Sequence, residues 1–442
     1  MRDQDRALSI AEKALRFADA EQAQVTVNFN QQSYARYARN YVTQNLTSDQ
    51  TTITLTYYAG KQNGTTTTDD SSDDGLRRLA AAARAIAQRV PPDDDFVSLP
   101  KPAPTAQAGR AYYESTAGAT AADRVEKLLP VFATMKKNGL SCAGYTTTQI
   151  NTTAIANSLG IRAAFTGTVG GLELKAMAPN TSGYGEYFGP DYAELDAAAI
   201  AERAAAKALV SNAPADLAPG VYPVVLEANA FADALSAILT GINAFNVLDD
   251  KDSWMIDRIG KPIFSPNLTI VDDWSDPLFA NPPFDPGDGA PTQRVTLIDR
   301  GVPKGYVSGT YLANKFKIPN TGHSFNFPIN AVVKPGTKSH DELVASIDRG
   351  ILISRTWYSR VVDPRQATIT GLTRDGVYLI EGGKLTKTLK NFRYFTSMLE
   401  ALKDVELGSR QVLTGPGEIG IPIVVPDAKI ARFNLSAQTS FA

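Results

Sequence analysis

The sequence has very little histidine and almost no cysteine, with two histidines and one cysteine in 442 residues. A single cysteine, Cys142, cannot form a disulfide within the chain and cannot build a cysteine-based zinc finger. It lies in a β-like run with no histidine near it in the sequence, which indicates a small core residue rather than a nucleophile. The two histidines, His323 and His340, exclude any zinc site that needs three of them.

A charge excess is also missing, because 44 Lys and Arg residues stand against 46 Asp and Glu residues. Without a broad basic field, nucleic acid is not an expected partner. The longest apolar stretch, 221–245, is interrupted by Glu227 and Asp233, so it predicts a strand followed by a buried helix rather than a membrane span. The first residues contain no apolar signal segment. We therefore expect a cytoplasmic protein that does not associate with a membrane.

The composition is that of a globular protein, with 43% hydrophobic and 20% charged residues. At about 150 residues per domain, the length corresponds to roughly three domains. Proline-containing linkers at 91–109 and 211–220 divide the chain. The predicted domains are an N-terminal α+β segment, a central α+β segment and a large β-rich C-terminal domain, at 1–105, 110–214 and 220–442. The predicted fold class is α+β.

Side-chain periodicity predicts the elements of the first two segments. Helices are predicted at the start of the chain and at about 76–90, 121–138 and 193–210. Alternating Thr, Tyr and Val residues predict strands at 23–29, 33–42 and 51–58. The threonine-rich stretch 63–75 is predicted to be a loop, and the glycine pair within 166–175 is predicted to form a hairpin.

No motif establishes a chemistry by itself. His323 and His340 lie 17 residues apart and no His-Glu-x-x-His spacing occurs, which disfavours a hydrolytic zinc site. The glycine-rich segments 166–175 and 414–422 lack the Gly-Lys-Ser/Thr of a phosphate-binding loop, and the acidic segment 248–254 lacks the spacing of an EF-hand. No G-x-S-x-G elbow is present to supply a nucleophile. His323 is predicted to be a loop histidine, and His340 an exposed residue at a helix N-terminus.

Seven blocks follow one another in the C-terminal half: VYPVVLEANAFADALSAILTG (221–241), WMIDRIGKPIFSPNLTIVDD (254–273), PFDPGDGAPTQRVTLIDRGVPKGYVSGTYLANKF (283–316), PNTGHSFN (319–326), GVYLIEGGKLTK (376–387), NFRYFTSMLEALKDVE (391–406) and LTGPGEIGIPIVV (413–425). In sequence and order these blocks resemble the TldD/TldE family, in which TldE is also called PmbA. The resemblance implies the fold of that family and a place in a cytosolic metallopeptidase complex.

The resemblance also implies two kinds of subunit. TldD-type subunits hold zinc with a His-Glu-x-x-x-His helix and a C-terminal cysteine, whereas TldE-type subunits lack these ligands and pair with a TldD-type subunit. At the aligned positions this chain has Ser236, Ala237 and Gly241 on the helix, and Glu418 or Ile419 near the cysteine position. The helix residues offer no imidazole or carboxylate ligand, and a lone Glu418 cannot hold a hydrolytic zinc ion tightly.

We therefore predict a zinc-free TldE/PmbA-like subunit with no catalytic residue, no metal ligand and no cofactor of its own. The expected partner is a TldD-type subunit that carries zinc, in a heterodimer or larger complex. The resemblance implies that such a complex trims leader peptides during maturation or degrades unstructured peptides. His323 and Ser324 are candidates for lining the peptide chamber.

Two other functions remain open at this point. The chain could be an enzyme in its own right, using His323, Asp233 and Glu418 in an unusual metal site or in a cleft adapted to a small modified peptide. It could also be a standalone peptide-binding or scaffolding homo-oligomer without catalysis. Stoichiometric metal on the purified chain would favour the first function, and a stable homo-oligomer that binds peptide without hydrolysing it would favour the second.

Overall fold

The computed structural model of the chain describes residues 2–415, 417 and 420–439, and it has the predicted α+β class. The described helices are α1 (Arg2–Ala18), α2 (Asp73–Ala87), α3 (Glu114–Ala117), α4 (Ala121–Lys137), α5 (Ala197–Ala208), α6 (Ala228–Thr240), α7 (Thr310–Phe316), α8 (His340–Ala345) and α9 (Met398–Ala401). The described strands are β1 (Gln22–Ala38), β2 (Tyr41–Ala59), β3 (Gln62–Thr68), β4 (Ser141–Asn157), β5 (Arg162–Met177), β6 (Ser182–Gly189), β7 (Gly220–Leu226), β8 (Ile270–Asp272), β9 (Val295–Asp299), β10 (Val302–Pro303), β11 (Ala331–Val333), β12 (Arg349–Asp363), β13 (Thr368–Glu381), β14 (Lys384–Thr388), β15 (Phe392–Ser397), β16 (Val405–Leu413) and β17 (Val424–Gln438).

The first six strands form one antiparallel sheet in the order β3–β2–β1–β4–β5–β6. Its strands are long, with 17 residues in β1, 19 in β2 and 17 in β4. β1 pairs with β4 from Gln24 opposite Asn157 to Ala38 opposite Ala143. The sheet therefore runs across the boundary predicted near 105–110, and the linker 91–109 joins two parts of the same sheet.

Two predictions for the first hairpins are wrong in detail. The strand predicted at 33–42 is divided by a turn at Arg39 and Asn40, whose φ values of 53° and 64° suit a two-residue hairpin loop. The loop predicted at 63–75 begins as strand β3. Threonine favours a strand here because its hydroxyl groups pair across the hairpin, as between Thr56 and Thr65 at 2.9 Å.

The hairpin predicted within 166–175 is also wrong. β5 continues through this segment, and both Gly170 and Gly171 pair with β4. The two glycines make room for neighbouring rings, since a Cβ added at Gly171 would stand 2.6 Å from the Phe188 ring and one added at Gly170 would stand 2.9 Å from Tyr192. A glycine pair in a strand thus marks close packing in this sheet and not a turn.

Helices α1, α2, α4 and α5 cover one face of this sheet. The contact between α5 and β6 is close because both sides contribute small residues. A Cβ added at Gly183 of β6 would stand only 2.1 Å from the carbonyl oxygen of Ala204. The buried stripe of α5 consists of Ala197, Ile200, Ala201, Ala204, Ala205 and Ala208. The alanine-rich pattern of the sequence therefore reflects helix–sheet packing at short distance.

The C-terminal region is built on a closed ring of five strands. The pairings run β7–β12–β13–β15–β17 and return to β7, with β7 and β12 parallel and the other pairs antiparallel. β16 pairs with β17, and β11 connects β17 to the short strands β8, β9 and β10. One bridge, between Phe188 of β6 and Leu413 of β16, links the first sheet to this region.

The strand and buried helix predicted for 221–245 are confirmed as β7 and α6. α6 packs against β12 and β17, and every residue from Asn229 to Leu239 is buried. Cys142 is fully buried in β4, as predicted for a core residue, and burial raises the pKa of its thiol to about 12. Within the described residues, no helix combines the length and the apolar character needed to cross a membrane.

The contact between β6 and α5 generates a stability prediction. Gly183→Ala places a methyl group where Ala204 stands, so α5 has to move, and we expect a loss of about 1–3 kcal/mol in the free energy of unfolding. Gly109→Ala is the matched control, because nothing lies within 4 Å of the added Cβ at that position. Chemical denaturation of the three proteins measures the difference. Equal stability of wild type and Gly183→Ala would contradict the close packing.

Candidate functional site

The polar residues of α6 lie on one stripe and face the turn that follows β16. Asn229, Asp233 and Ser236 are spaced four and three residues apart, which places them on the same side of a helix. Thr356 of β12 donates a hydrogen bond from Oγ1 to Oδ2 of Asp233 at 2.7 Å. A Cβ added at Gly417 would stand 2.7 Å from Oδ1 of Asp233. The turn after β16 therefore lies directly on this stripe.

Charged groups from three other elements hold the start of α6. Glu227, which precedes the helix, accepts a hydrogen bond from Nζ of Lys207 at 2.7 Å. The first backbone N–H of the helix, at Ala228, donates to Oδ1 of Asp427 at 2.8 Å, and Nδ1 of His340 lies 2.7 Å from Oδ2 of the same carboxylate. His340 begins α8 as predicted, but it is half-buried rather than exposed. Its hydrogen bond with Asp427 raises the pKa of the imidazole.

The three α6 positions at which the family resemblance would place zinc-site residues are buried and closely packed. Ser236 is 4% exposed and Ala237 is 1% exposed. Gly241 follows the last residue of α6, and a Cβ added there would stand 2.5 Å from Cδ1 of Trp254. The indole is held in place because its Nε1 donates to the carbonyl oxygen of Ile238 at 2.8 Å. Trp254 therefore occupies the space that a side chain at position 241 would need.

A buried carboxyl group lies beside the first turn of α6. Glu186 of β6 accepts hydrogen bonds on Oε2 from the Tyr184 hydroxyl at 2.6 Å and from Nδ2 of Asn229 at 3.1 Å. Burial raises the pKa of Glu186 to about 7, although these donors act in the opposite direction. Glu186 thus holds or releases a proton near neutral pH.

A network of charges surrounds this carboxyl group at the junction of the first sheet and the ring. Nη1 of Arg355 lies 3.4 Å from Glu173 and 3.1 Å from Asp375, and the guanidinium lies over the Tyr184 ring at 5.0 Å. Lys175 forms another ion pair with Asp375. Sequence reasoning missed these residues because they come from four strands that are far apart in the chain, and no local pattern joins them.

His323 and Ser324, the predicted chamber residues, differ in exposure. His323 is 2% exposed, and its ring nitrogens bond to Oδ1 of Asp272 at 2.9 Å and to Oγ1 of Thr321 at 3.0 Å. Burial acts to lower the pKa of His323, but the hydrogen bond and charge of Asp272 outweigh it and raise the pKa. Ser324 is half-buried, donates to Asp285 at 2.7 Å and lines a cavity of about 410 Å³. Ser324 therefore stays a candidate for peptide contact, while His323 faces the interior.

The groups considered for an independent enzyme are not brought together in the part of the chain that the structure describes. His323 is bonded to Asp272, and Asp233 is bonded to Thr356 in a separate network. Glu418, the third group, lies outside the described residues, as does Ile419. The described geometry gives no catalytic constellation of the kind that this alternative requires.

Two family models match most of the chain. One describes the PmbA/TldA metallopeptidase central domain and matches residues 100–212, and the other describes the PmbA/TldA metallopeptidase C-terminal domain and matches residues 219–436. The chain belongs to the PmbA/TldD metallopeptidase family. The resemblance seen in the sequence blocks is thereby confirmed.

Individual relatives of this family member are distant in sequence. It is 26% identical over 245 residues to the metalloprotease TldD homolog of Haemophilus influenzae, covering 51% of this chain and 49% of that protein. It is 24% identical over 213 residues to a metalloprotease of Methanocaldococcus jannaschii, covering 46% of each. The chain thus spans about half the length of the curated relatives it matches. The crystal structure of TldE from Thermococcus kodakarensis has the same fold, with a TM-score of 0.86 and 20% identity over 96% of this chain and 99% of that one.

The α6 positions of this PmbA/TldD-family chain do not fit a hydrolytic zinc ion. Such an ion needs three protein ligands with imidazole, thiolate or carboxylate groups. Ser236, Ala237 and Gly241 supply none, and Trp254 fills the space beside the third position. Across the described residues, no group of three or more His, Cys, Asp and Glu side chains is placed to hold a metal ion.

The raised pKa of Glu186 predicts a pH-dependent stability. Because the folded pKa of about 7 lies above the ordinary value of 4.5, the folded chain keeps a proton that the unfolded chain loses as the pH rises through this window. The Glu186 contribution to stability therefore falls between pH 4.5 and 7, whereas Glu186→Gln stays neutral at all pH values. We expect the variant to melt above wild type at pH 8 and by a much smaller margin near pH 4.5.

Thermal melts of both proteins from about pH 4.5 to about pH 8 measure this difference. Glu126→Gln, at an exposed position of α4, is the matched control and should follow wild type across the range. If the gap between wild type and Glu186→Gln does not widen with pH, the Glu186 carboxyl group is not protonated in the folded chain near neutral pH.

Proposed function

We propose that this chain is a zinc-free, TldE-like subunit of a cytoplasmic metallopeptidase complex that trims or degrades unstructured peptides. The catalytic zinc is carried by a TldD-type partner subunit. The observation that carries the proposal is the filled space at the end of α6, where Trp254 stands against Gly241 and no ligand type occurs at positions 236, 237 and 241. A subunit that had merely lost one ligand would leave a cavity there.

In such a complex this chain supplies shape and contacts rather than hydrolysis. α6 is buried along its length and is capped by Asp427, so the helix persists without a metal ion to hold it. The Asp233 carboxylate is bonded to Thr356 and covered by the turn that contains Gly417. It is therefore not placed to activate a water molecule for attack on a peptide bond.

The relatives support a role in proteolysis at the level of the family. The Haemophilus influenzae relative is named a metalloprotease, and the alignment with it covers 49% of that protein. The Thermococcus kodakarensis structure is named TldE and shares the fold over nearly its whole length. The activity, partner and substrate of this chain are our proposal.

Purification of the tagged chain from its host tests the proposal. We expect a second family member with a His-Glu-x-x-x-His helix in a stoichiometric amount, with zinc on that subunit only. Peptidase activity on an unfolded peptide should require both chains. Ser236→Ala in this chain should leave the activity of the complex unchanged, because Ser236 is buried and is not a ligand, whereas replacing the motif glutamate of the partner should abolish it.

Other outcomes lead to the alternative functions. A stable homo-oligomer that binds peptide, carries no metal and co-purifies with no family member would overturn the partner proposal and favour a scaffold. Stoichiometric metal on this chain alone would mean that ligands outside the α6 positions form a site, and the zinc-free assignment would be wrong. Mass spectrometry of the bands and metal analysis of the separated subunits distinguish these results.

A further inference from the structure

The helix-covered face of the first sheet is open in the middle. Odd-numbered residues of β1 point to this face, where Val27 lies in the core beneath α1 and Ala35 lies in the core beneath α4. Between these two cores lies a cavity of about 560 Å³. We call this cavity the trough, and its floor consists of Gln31, Ser33, Asn45, Thr47, Thr148 and Ile150.

The floor of the trough is uncharged, and apart from Ile150 it is polar. Thr47, Ser33 and Thr148 are direct neighbours across β2, β1 and β4, so their hydroxyl groups form a row on one face of the sheet. The Ser33 and Thr47 hydroxyl oxygens are 2.8 Å apart. Hydroxyl groups both donate and accept hydrogen bonds, so this row can form hydrogen bonds with a polar ligand but cannot neutralise the charge of an ionic one.

Arg124 of α4 lines the trough and is only 3% exposed. Its Nη1 donates to the carbonyl oxygen of Ala119 at 2.9 Å and to Oγ1 of Thr148 at 3.2 Å. Nε is buried and has no hydrogen-bond partner. Among the described residues, the hydrogen bonds of the guanidinium come from Nη1 and none comes from Nη2. Three of the five N–H groups of the guanidinium are therefore unused.

No carboxylate in the described part of the chain forms an ion pair with Arg124, although the charge of the adjacent Asp123 acts in its favour. The adjacent acid, Asp123, is occupied by the backbone N–H and hydroxyl group of Thr120, each at 2.7 Å, in the capping box of α4. Burying an unpaired charge is costly, and burial here lowers the pKa of the guanidinium. A buried cation with unused donors at the wall of a cavity is the arrangement that an anionic ligand would complete.

We propose that the trough binds a carboxylate group of a peptide, with Arg124 as the residue that recognises the charge and the Ser33–Thr47–Thr148 hydroxyl row beside the peptide chain. The proposal rests on the proposed function only in taking the ligand to be a peptide. It assigns to this chain a selectivity for peptides that end in a free carboxylate or contain an acidic side chain.

Charge and geometry favour a carboxylate over a phosphate group. Nε and Nη2 lie on one edge of the planar guanidinium and match the two oxygens of a carboxylate. Nε is shielded from solvent, so a two-pronged contact requires the side chain to rotate. Arg124 is the one ionised residue on the lining, and a single positive charge balances a carboxylate but not a doubly charged phosphate. The N-terminal end of α4, at Thr120 and Ala121, also borders the trough and adds a favourable dipole.

Fluorescence anisotropy with matched peptides tests this selectivity on the full chain. Three labelled peptides share one Gly-, Ser- and Ala-rich sequence: the first has a free C-terminal carboxylate, the second a C-terminal amide, and the third the amide with one internal Glu. We expect at least one of the two acidic peptides to bind about tenfold or more tightly than the neutral amide. Which of them does so identifies a terminal or a side-chain carboxylate as the preferred group.

Variants assign the effect to Arg124. Arg124→Met should remove the difference between acidic and neutral peptides, and Arg89→Met, at an exposed position after α2, should keep it. Arg124→Met should melt no lower than wild type, because it removes a buried charge that has no ion-pair partner and thereby offsets the loss of the two Nη1 hydrogen bonds. The comparison of acid and amide on wild type needs no variant, so the test holds even if Arg124→Met fails to fold.

Three outcomes would overturn the proposal. The first is equal binding of all three peptides by wild type, and the second is a preference for acid that survives in Arg124→Met. The third is binding of inorganic phosphate through Arg124 with no preference among the peptides, which would make the trough a site for small anions. None of these results depends on the co-purification experiment, so failure of the carboxylate site and failure of the subunit proposal are distinguishable.

Discussion

Burial of α6 from Asn229 to Leu239 is the constraint on which the C-terminal region depends. In a helix with eleven consecutive buried residues, no side chain can be substituted without affecting the packing, because each one fills space against the surrounding strands. Any side chain in such a helix therefore has to fit the space that its neighbours leave. Small residues at Ser236 and Ala237 and the Trp254 indole against Gly241 meet this requirement. Close packing thus fills the space around the three helix positions that the family resemblance singles out.

The same burial explains the polar contacts around α6. Three polar groups at its start bond to residues from different parts of the chain: Glu227 to Lys207, the Ala228 N–H to Asp427, and Nδ2 of Asn229 to Glu186. Buried polar groups without partners are costly, so these contacts fix how the first sheet meets the strand ring. Among these contacts, the one made by Glu186 depends on pH, because burial disfavours the charged form of its carboxyl group.

The sequence predicts the elements that follow from a local residue pattern. It does not predict the features that arise when segments far apart in the chain come into contact. The β7–α6 unit and the helices of the first sheet follow from apolar periodicity, and the family follows from long blocks in order. Strand β3 and the continuous β5 were missed because threonine runs and glycine pairs are typical of loops, and only neighbouring strands reveal that they serve pairing and close packing. The Glu173–Arg355–Asp375 network could not be predicted, since its members meet only through the tertiary fold.

Arg124 is a further residue whose environment could not be predicted from the sequence. An arginine in the first turns of a helix is ordinary in sequence, and nothing in its neighbours marks it as buried. What distinguishes it is the absence of an ion-pair partner within the described residues, together with a cavity whose floor is mainly polar, in contrast to the apolar residues that lie beneath α1 and α4. A helix that only had to cover the sheet would gain stability from an apolar side chain at this position. The retained charge is therefore better explained by a ligand than by the fold.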